Sequence, residues 1–375
     1  MSALPRTRSR RWSVAAGLIV CLLVGVSAGA VVSWARSTPP ADPAWSVAVD
    51  PAAMTDAGDR VGVVLGNMFG DPTDDDRTLT TLAAVGSRWV RVDFDWSSIE
   101  PTPGSSDWTD IDRFVALAAG HHIRVLAMLA YTPVWARPPG STDKHPPTDV
   151  ADFARFAAEA AARYGHDTVG AWEIWNEPNS ASFWEPDPDA EGYTNLLRAA
   201  AGAIRAADSQ ATIVTGGLAP AVAALDHSEV PPETFLGRLL KAGAGDSFDG
   251  VGSHPYSYPA LPADDRTAAW NSFYRLPKLH RQLVSAGLGD RAIWITEVGA
   301  PTGTSSRAVS PERQAEIVGD AITRALGLPW VAHTFVYSFR DRADVSDDPE
   351  ANFGLRRFDT SAKPAWDTFV SLLRP

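Results

Sequence analysis

The chain has 375 residues, 45% hydrophobic and 21% charged. That balance can bury a large core and excludes collagen, coiled coil, multi-span membrane protein and a predominantly disordered chain. The single cysteine, Cys21, lies in an N-terminal apolar run, so the folded body has no disulfide or thiolate–metal site. Formal charge is −12, yet every charge in the first 36 residues is basic: Arg6, Arg8, Arg10, Arg11 and Arg36. Residues 37–375 therefore carry 28 basic against 45 acidic side chains, a net −17, which argues against nucleic acid or anionic lipid as a partner.

Four arginines precede an uncharged stretch from Trp12 to Ala35, the pattern of an export element. Ser33 and Ala35 fit a small-x-small cleavage site, and the stretch is also long enough to span a bilayer, which takes about 20 residues. Residues 1–36 thus read as a signal peptide or a single-pass membrane anchor, and the domain is expected outside the cytoplasm, secreted or tethered. Pro39, Pro40, Pro43 and Pro51 give 37–60 the composition of a linker. The folded domain, expected to be a monomer, is read as 61–375.

From Val61 onward, short β-type runs alternate with longer amphipathic segments, as in βα units around a parallel sheet. Eight strands are expected, starting near Val61, Arg88, Ile123, Val169, Thr212, Phe248, Ala292 and Ala332. A helix is expected over 148–165, another capped by Ser310 before Pro311, and a last one from Pro364. Eight such units without a glycine-rich dinucleotide fingerprint predict an α/β fold, a closed (β/α)8 TIM barrel.

In such a barrel the chemistry sits where strands end. Alternation along the second strand sets Val90, Val92 and Phe94 outward and Arg91, Asp93 and Asp95 inward. Along the fourth it sets Glu173, Trp175 and Glu177 on one parity, and Arg91 with Glu173 or Asp93 is read equally as a structural ion pair or as part of a site. Pro178 should end the fourth strand, leaving Glu177 extended at the mouth. Glu297 ends the seventh strand before Val298-Gly299-Ala300-Pro301. Two glutamates far apart in sequence thereby meet across one mouth, as glycoside hydrolysis requires of an acid and a second carboxylate. Their environments should differ, one favouring the neutral acid and the other the anion, a difference Arg91 would supply if it sat nearer Glu297.

The string Trp172-Glu173-Ile174-Trp175-Asn176-Glu177-Pro178-Asn179 resembles the acid/base strand of the clan A retaining glycoside hydrolases, especially family 39 β-glycosidases and related bacterial exopolysaccharide hydrolases. Arg91 to Trp96 with Ile99-Glu100-Pro101 and Trp108, Tyr131 to Ala136, His254-Pro255-Tyr256, Thr296-Glu297, Phe353-Gly354-Leu355 and Lys363-Pro364-Ala365 are similar to the same barrels. The resemblance implies Glu177 as acid/base and Glu297 as nucleophile, with Asn176 on the sugar 2-hydroxyl. It also implies that Arg91 and Tyr256 flank the nucleophile and that His254 contacts the site. Strict alternation would aim Asn176 away from Glu177, so its role requires a kink. Many clan members end the eighth strand in a tryptophan that floors the sugar pocket, whereas this chain has Thr334-Phe335-Val336-Tyr337-Ser338-Phe339.

Trp96, Trp135 and Trp184 fall at or after strand ends, and Trp135 and Trp184, in polar loops, are expected to stack on sugar rings. Trp89, Trp172, Trp294 and Trp366 are expected in the core. No cofactor is called for, and no metal: His121 and His122 precede the third strand at the far end of the barrel, and no HExxH spacing occurs. No G-x-S-x-G elbow follows a strand. The expected function is retaining hydrolysis of a β-linked oligo- or polysaccharide; the alternative is a non-catalytic, envelope-tethered sugar-binding barrel.

Overall fold

The computed structural model describes residues 56–67, 70–222 and 224–374. The N-terminal segment read as signal or anchor, and most of the linker, lie outside them. Eight parallel strands close on themselves in sequence order: β1 Val61–Gly66, β2 Trp89–Asp95, β3 Arg124–Ala130, β4 Val169–Asn176, β5 Ile213–Gly217, β6 Gly250–Ser253, β7 Ala292–Val298 and β8 Val331–Val336. Closure is made by β1 against β8, with Val61 opposite Thr334 and Val63 opposite Val336. The expected (β/α)8 barrel is thus the observed fold, and each strand starts within about two residues of its expected position.

Among the described residues, ten helices surround the sheet or cap its ends: α1 Ala57–Arg60, α2 Pro72–Ala84, α3 Trp96–Ile99, α4 Thr109–Gly120, α5 Val150–Thr168, α6 Ala190–Ala207, α7 Pro232–Lys241, α8 Leu276–Ser285, α9 Pro311–Leu326 and α10 Pro364–Leu373. Their starts follow local chemistry. Asp71 accepts from the backbone N–H of Thr73 and Asp74, and Ser310 accepts from Arg313, each cap being worth about 1 kcal/mol. In α5 the apolar stripe buries Phe153, Phe156, Ala157, Ala160 and Ala161, and the helix breaks at Gly165, where φ is 57°. The linker boundary moves: α1 falls within the 37–60 stretch, buries Ala57, and sends Arg60 to the carbonyls of Leu326 (3.1 Å) and Val331 (2.6 Å) at the barrel's base. Among the described residues no helix is long and apolar enough to cross a membrane.

Two apolar layers result from strand alternation. Outward residues such as Val90, Val92, Phe94, Trp172 and Ile174 join the helices in the main core. Inward residues at the base, Val64, Trp89, Leu126, Ala171, Val214, Trp294 and Phe335, plug the barrel. The Trp89 indole comes so close to Gly170 that a Cβ there would lie 2.4 Å from it. His333 completes the plug, its ring 4.2 Å from that of Trp294 and 4.5 Å from that of Trp89. Trp89, Trp172, Trp294 and Trp366 are all buried, as expected.

Candidate active site

Above the plug the inward positions turn polar. Arg91 is 2% exposed and spends its guanidinium on three acceptors: Nε to Glu173 Oε2 (2.5 Å), Nη1 to Glu297 Oε1 (2.8 Å) and Nη2 to Asn176 Oδ1 (2.9 Å). Its partner in the structural sense is Glu173, not Asp93. Glu173 also accepts from Gly217 N–H at 2.9 Å, so the buried pair is fully satisfied, the condition under which buried charge is tolerable. Burial alone would lower the Arg91 pKa, but the carboxylates of Glu173, Glu297 and Asp93 outweigh it and hold the guanidinium charged. Asp93, beside it, is pushed by burial up to about 6 against the opposite pull of Arg91.

The alternation expected along β4 fails at its end. Trp175 and Glu177 both adopt left-handed backbone, φ 73° and 46°, so Glu177 is not extended as Pro178 suggested. Trp175 consequently faces the helices, its ring 6.1 Å from Phe153 and its Nε1 donating to Phe183 O, rather than sharing the parity of Glu173. Asn176 turns inward to Arg91 and Glu177 follows it into the mouth; this is the kink the asparagine needed. Left-handed conformations of such residues cost roughly 1–3 kcal/mol each and persist where surroundings over-determine them. Here Glu177 N–H bonds to Gly217 O (3.1 Å) and Ser180 N–H to Glu177 O (3.0 Å). Buried Asn179 clamps the following turn to Ala219 and Val230. The β7–β8 register likewise shifts between Ile295 and Val298, the stretch that holds Glu297.

His254 joins the two glutamates. Its Nδ1 lies 2.8 Å from Glu177 Oε1 and 3.7 Å from Glu297 Oε2, so those two oxygens can be no more than about 6.5 Å apart. The ring fits because Gly217 has no side chain: a Cβ would lie 2.1 Å from His254 Nε2 and 2.4 Å from Thr296 Oγ1. Burial alone would lower the His254 pKa, but the charge of Glu297 and the hydrogen bond and charge of Glu177 raise it. Tyr256 donates to Glu297 Oε2 at 2.7 Å. Burial would raise Glu297, yet the charges of His254 and Arg91 and the bonds from Tyr256 and Arg91 hold its carboxyl below the usual range. The two glutamates are therefore equally accessible, at 14% and 13%, but only Glu297 is clamped by Arg91 and Tyr256.

The expected aromatic platforms divide. Trp184 is 3% exposed, wedged edge-on between Trp175 (5.4 Å) and Tyr193 (5.6 Å); it is core, not a sugar subsite. Trp96 is fully buried, stacked on Phe156 with its Nε1 on Glu100. Trp135 is partly exposed, its Nε1 bound to Glu100 O at 2.9 Å. At the end of β8, Tyr337 is half-buried against Phe353, ring centroids 5.1 Å apart, and is joined to Ser338 by a cis peptide. Lys363 of the Lys-Pro-Ala string is a buried tie between the loops after β7 and β8, donating to Thr302 Oγ1 and Asp341 Oδ1 at 2.8 Å.

Three neighbours of the site were not read from the sequence. Lys144 sets its ammonium 2.9 Å from the Tyr131 ring centre, on the side of Asp93 and Asp95. Glu229, from the loop after β5, accepts from Ser180 Oγ (2.7 Å); burial, with the charge of Glu177 adding to it, pushes its carboxyl up to about 7. Glu350 accepts from Tyr337 OH (3.3 Å). None sits in a motif, and only the folded loops bring them in. Among the described residues, no group of three or more His, Cys, Asp or Glu side chains is arranged to hold a metal ion.

Comparison with known proteins agrees with this architecture. Residues 55–332 match the family model "Cellulase (glycosyl hydrolase family 5)". Among solved structures, the chain is similar to a family 39 glycoside hydrolase from the gut symbiont Bacteroides cellulosilyticus WH2, at 24% identity and TM-score 0.66, covering 84% of this chain and 64% of that one. It is similar also to GH5_18 from Streptomyces cattleya in complex with GlcNAc, at 19% identity and TM-score 0.60, covering 84% and 79%. A third is xylanase 10B from Thermotoga petrophila RKU-1 in complex with xylobiose, at 16% identity and TM-score 0.59, covering 85% and 96%. No curated protein matches. The chain thus spans just under two thirds of the Bacteroides enzyme, and families 5, 39 and 10 all lie in clan A. With its family model matched over most of its length, the chain belongs to the cellulase family, glycosyl hydrolase family 5, and is by family a clan A glycoside hydrolase.

Proposed function

We propose that the protein is a retaining glycoside hydrolase that cleaves O-glycosidic bonds of a β-linked oligo- or polysaccharide, with Glu297 as nucleophile and Glu177 as acid/base. The observation that carries this reading is the asymmetric pair: two glutamates, of which only Glu297 is clamped by a guanidinium and a phenol, beside one histidine nitrogen that bonds to Glu177 at 2.8 Å and lies 3.7 Å from Glu297. Donors aimed at one carboxylate favour its anion, which is what a nucleophile needs. An oxygen separation of at most about 6.5 Å leaves little room for the water that an inverting enzyme must hold between carboxylate and sugar.

In the first step a Glu297 oxygen bonds to the anomeric carbon while the bond to the leaving oxygen breaks and takes the proton of Glu177. Glu297 becomes a neutral ester, and Arg91 remains neutralised by Glu173. In the second step the ionised Glu177 removes a proton from water, the water oxygen bonds to the anomeric carbon, and the ester bond breaks to restore Glu297. Asn176, held by Arg91 Nη2 through its Oδ1, keeps its amide N–H free for a sugar hydroxyl. Tyr337 supports the role of floor that a tryptophan fills in many clan members, and Trp135 remains the candidate outer platform. The arginine-led apolar N-terminus supports work outside the cytoplasm, secreted or anchored.

A panel of aryl β-glycosides tests the reading. Glu177→Gln should slow poor leaving groups by roughly 10²–10⁴-fold and good ones much less, because a good leaving group needs no proton. Equal loss across the panel would remove Glu177 from the acid's role.

A further inference from the structure

One wall of the mouth is aromatic and ends in two guanidiniums. It begins at Glu297, which accepts from Tyr256 OH at 2.7 Å. From Tyr256, ring contacts run to Tyr258 (5.8 Å) and Phe353 (5.9 Å), and from Phe353 to Tyr337 (5.1 Å). Each outer tyrosine hydroxyl accepts from an arginine: Tyr258 from Arg307, whose guanidinium lies 5.3 Å over the same ring, and Tyr337 from Arg342.

Both arginines are exposed, on the loops after β7 and β8. A guanidinium offers five N–H donors, and among the described residues each of these two gives one N–H to its tyrosine. Glu350 lies 3.8 Å from Arg342, beyond hydrogen-bonding distance, so it balances one charge without occupying the fork. Asp348 and Glu297 also act on Arg342 through their charges, so what the wall offers is not an excess of charge but two exposed guanidinium forks with donors to spare. A neutral sugar leaves those planar forks unmatched. An anionic one matches them, since the planar fork fits a carboxylate or sulfate edge while the aromatic wall takes the ring.

We propose that this wall, built from the loops after β6, β7 and β8, is a subsite for a sugar unit bearing an anionic substituent, a uronate carboxylate or a sulfate, held by Arg307 and Arg342. The inference rests on the glycoside hydrolase reading and names its substrate class.

Native affinity electrophoresis reads binding without turnover. The protein is run through gels holding a β-linked uronic-acid polysaccharide, its carboxyl-reduced neutral form, or a sulfated derivative of that neutral form. The expected result is retardation at roughly tenfold lower concentration of an anionic chain than of the neutral one. Retardation by the uronate chain alone identifies a carboxylate site, by the sulfated chain alone a sulfate site, and by both a general anion site. The double variant Arg307→Ala/Arg342→Ala should fall to the neutral level in both anionic gels while its retardation by the neutral chain and its melting temperature stay those of the wild type. Equal retardation of the wild type in all three gels, or a preference that survives in the double variant, overturns the proposal. Failure of the wild type to cleave any neutral aryl glycoside would instead strike the catalytic reading, leaving the binding test intact.

Discussion

The base and the mouth of this barrel are built from the same strands, two residues apart. Along β2, Trp89 plugs the base and Arg91 reaches the mouth; along β4, Ala171 lies below Glu173; along β7, Trp294 lies below Thr296 and Glu297. At the base the inward side chains are mostly large and apolar. At the mouth they are charged, and β4 breaks its alternation with left-handed residues at Trp175 and Glu177. The difference is thermodynamic. The base gains stability by excluding water, while the mouth accepts strain and buried charge to hold two carboxylates in unlike surroundings.

Substitutions at the two ends should therefore fail differently. The largest effect is expected at Glu297: replacement by Gln should depress hydrolysis by roughly 10⁴–10⁶-fold with little change in melting temperature, since the nucleophile acts as a unit with its acid. A variant retaining a tenth of the activity would break the contrast. Trp184 lies near the mouth in sequence order but belongs energetically to the core. Trp184→Ala should cost about 3–5 kcal/mol of stability by denaturant unfolding and leave substrate affinity per folded molecule unchanged. Weakened binding in a variant of undiminished stability would return it to the cleft.

A smaller effect separates the ends by pH. Burial, with Arg60 and Arg124 adding to it, lowers the His333 pKa at the base to about 3 from an ordinary 6.5. The unfolded chain takes this proton before the folded one does. The stability His333 contributes is thus complete above about pH 6.5 and is lost as pH falls from there toward 3. Urea midpoints between pH 7 and 4.5 should fall less in His333→Phe than in the wild type; parallel falls would show that this histidine is not the sensor.

How much of this was legible in the sequence follows the same division. Strand positions were, because β-type runs bounded by turn residues leave few alternatives for eight βα units. The placing of Glu177 and Glu297 at one mouth was as well, since each lies at the C-terminal end of a strand. Trp184 was misread because loop composition reports on the backbone's exposure and not on where a large ring lands, here between Trp175 and Tyr193. The orientation of Trp175 was misread because period-two reasoning assumes a regular strand, and left-handed backbone at Trp175 and Glu177 breaks that alternation. Lys144, Glu229 and Glu350 left no local signal, as their place near the carboxylates depends on loops that meet only in the closed barrel.

The central claim is that Glu297 attacks the sugar itself. Proton NMR of the sugar released in the first minutes of hydrolysis, before mutarotation, tests it most directly. Two successive inversions, by Glu297 and then by water guided by Glu177, predict that a β-linked substrate yields the β-anomer first. An α-anomer as the first-formed product would mean that Glu297 activates water instead, and would contradict the account.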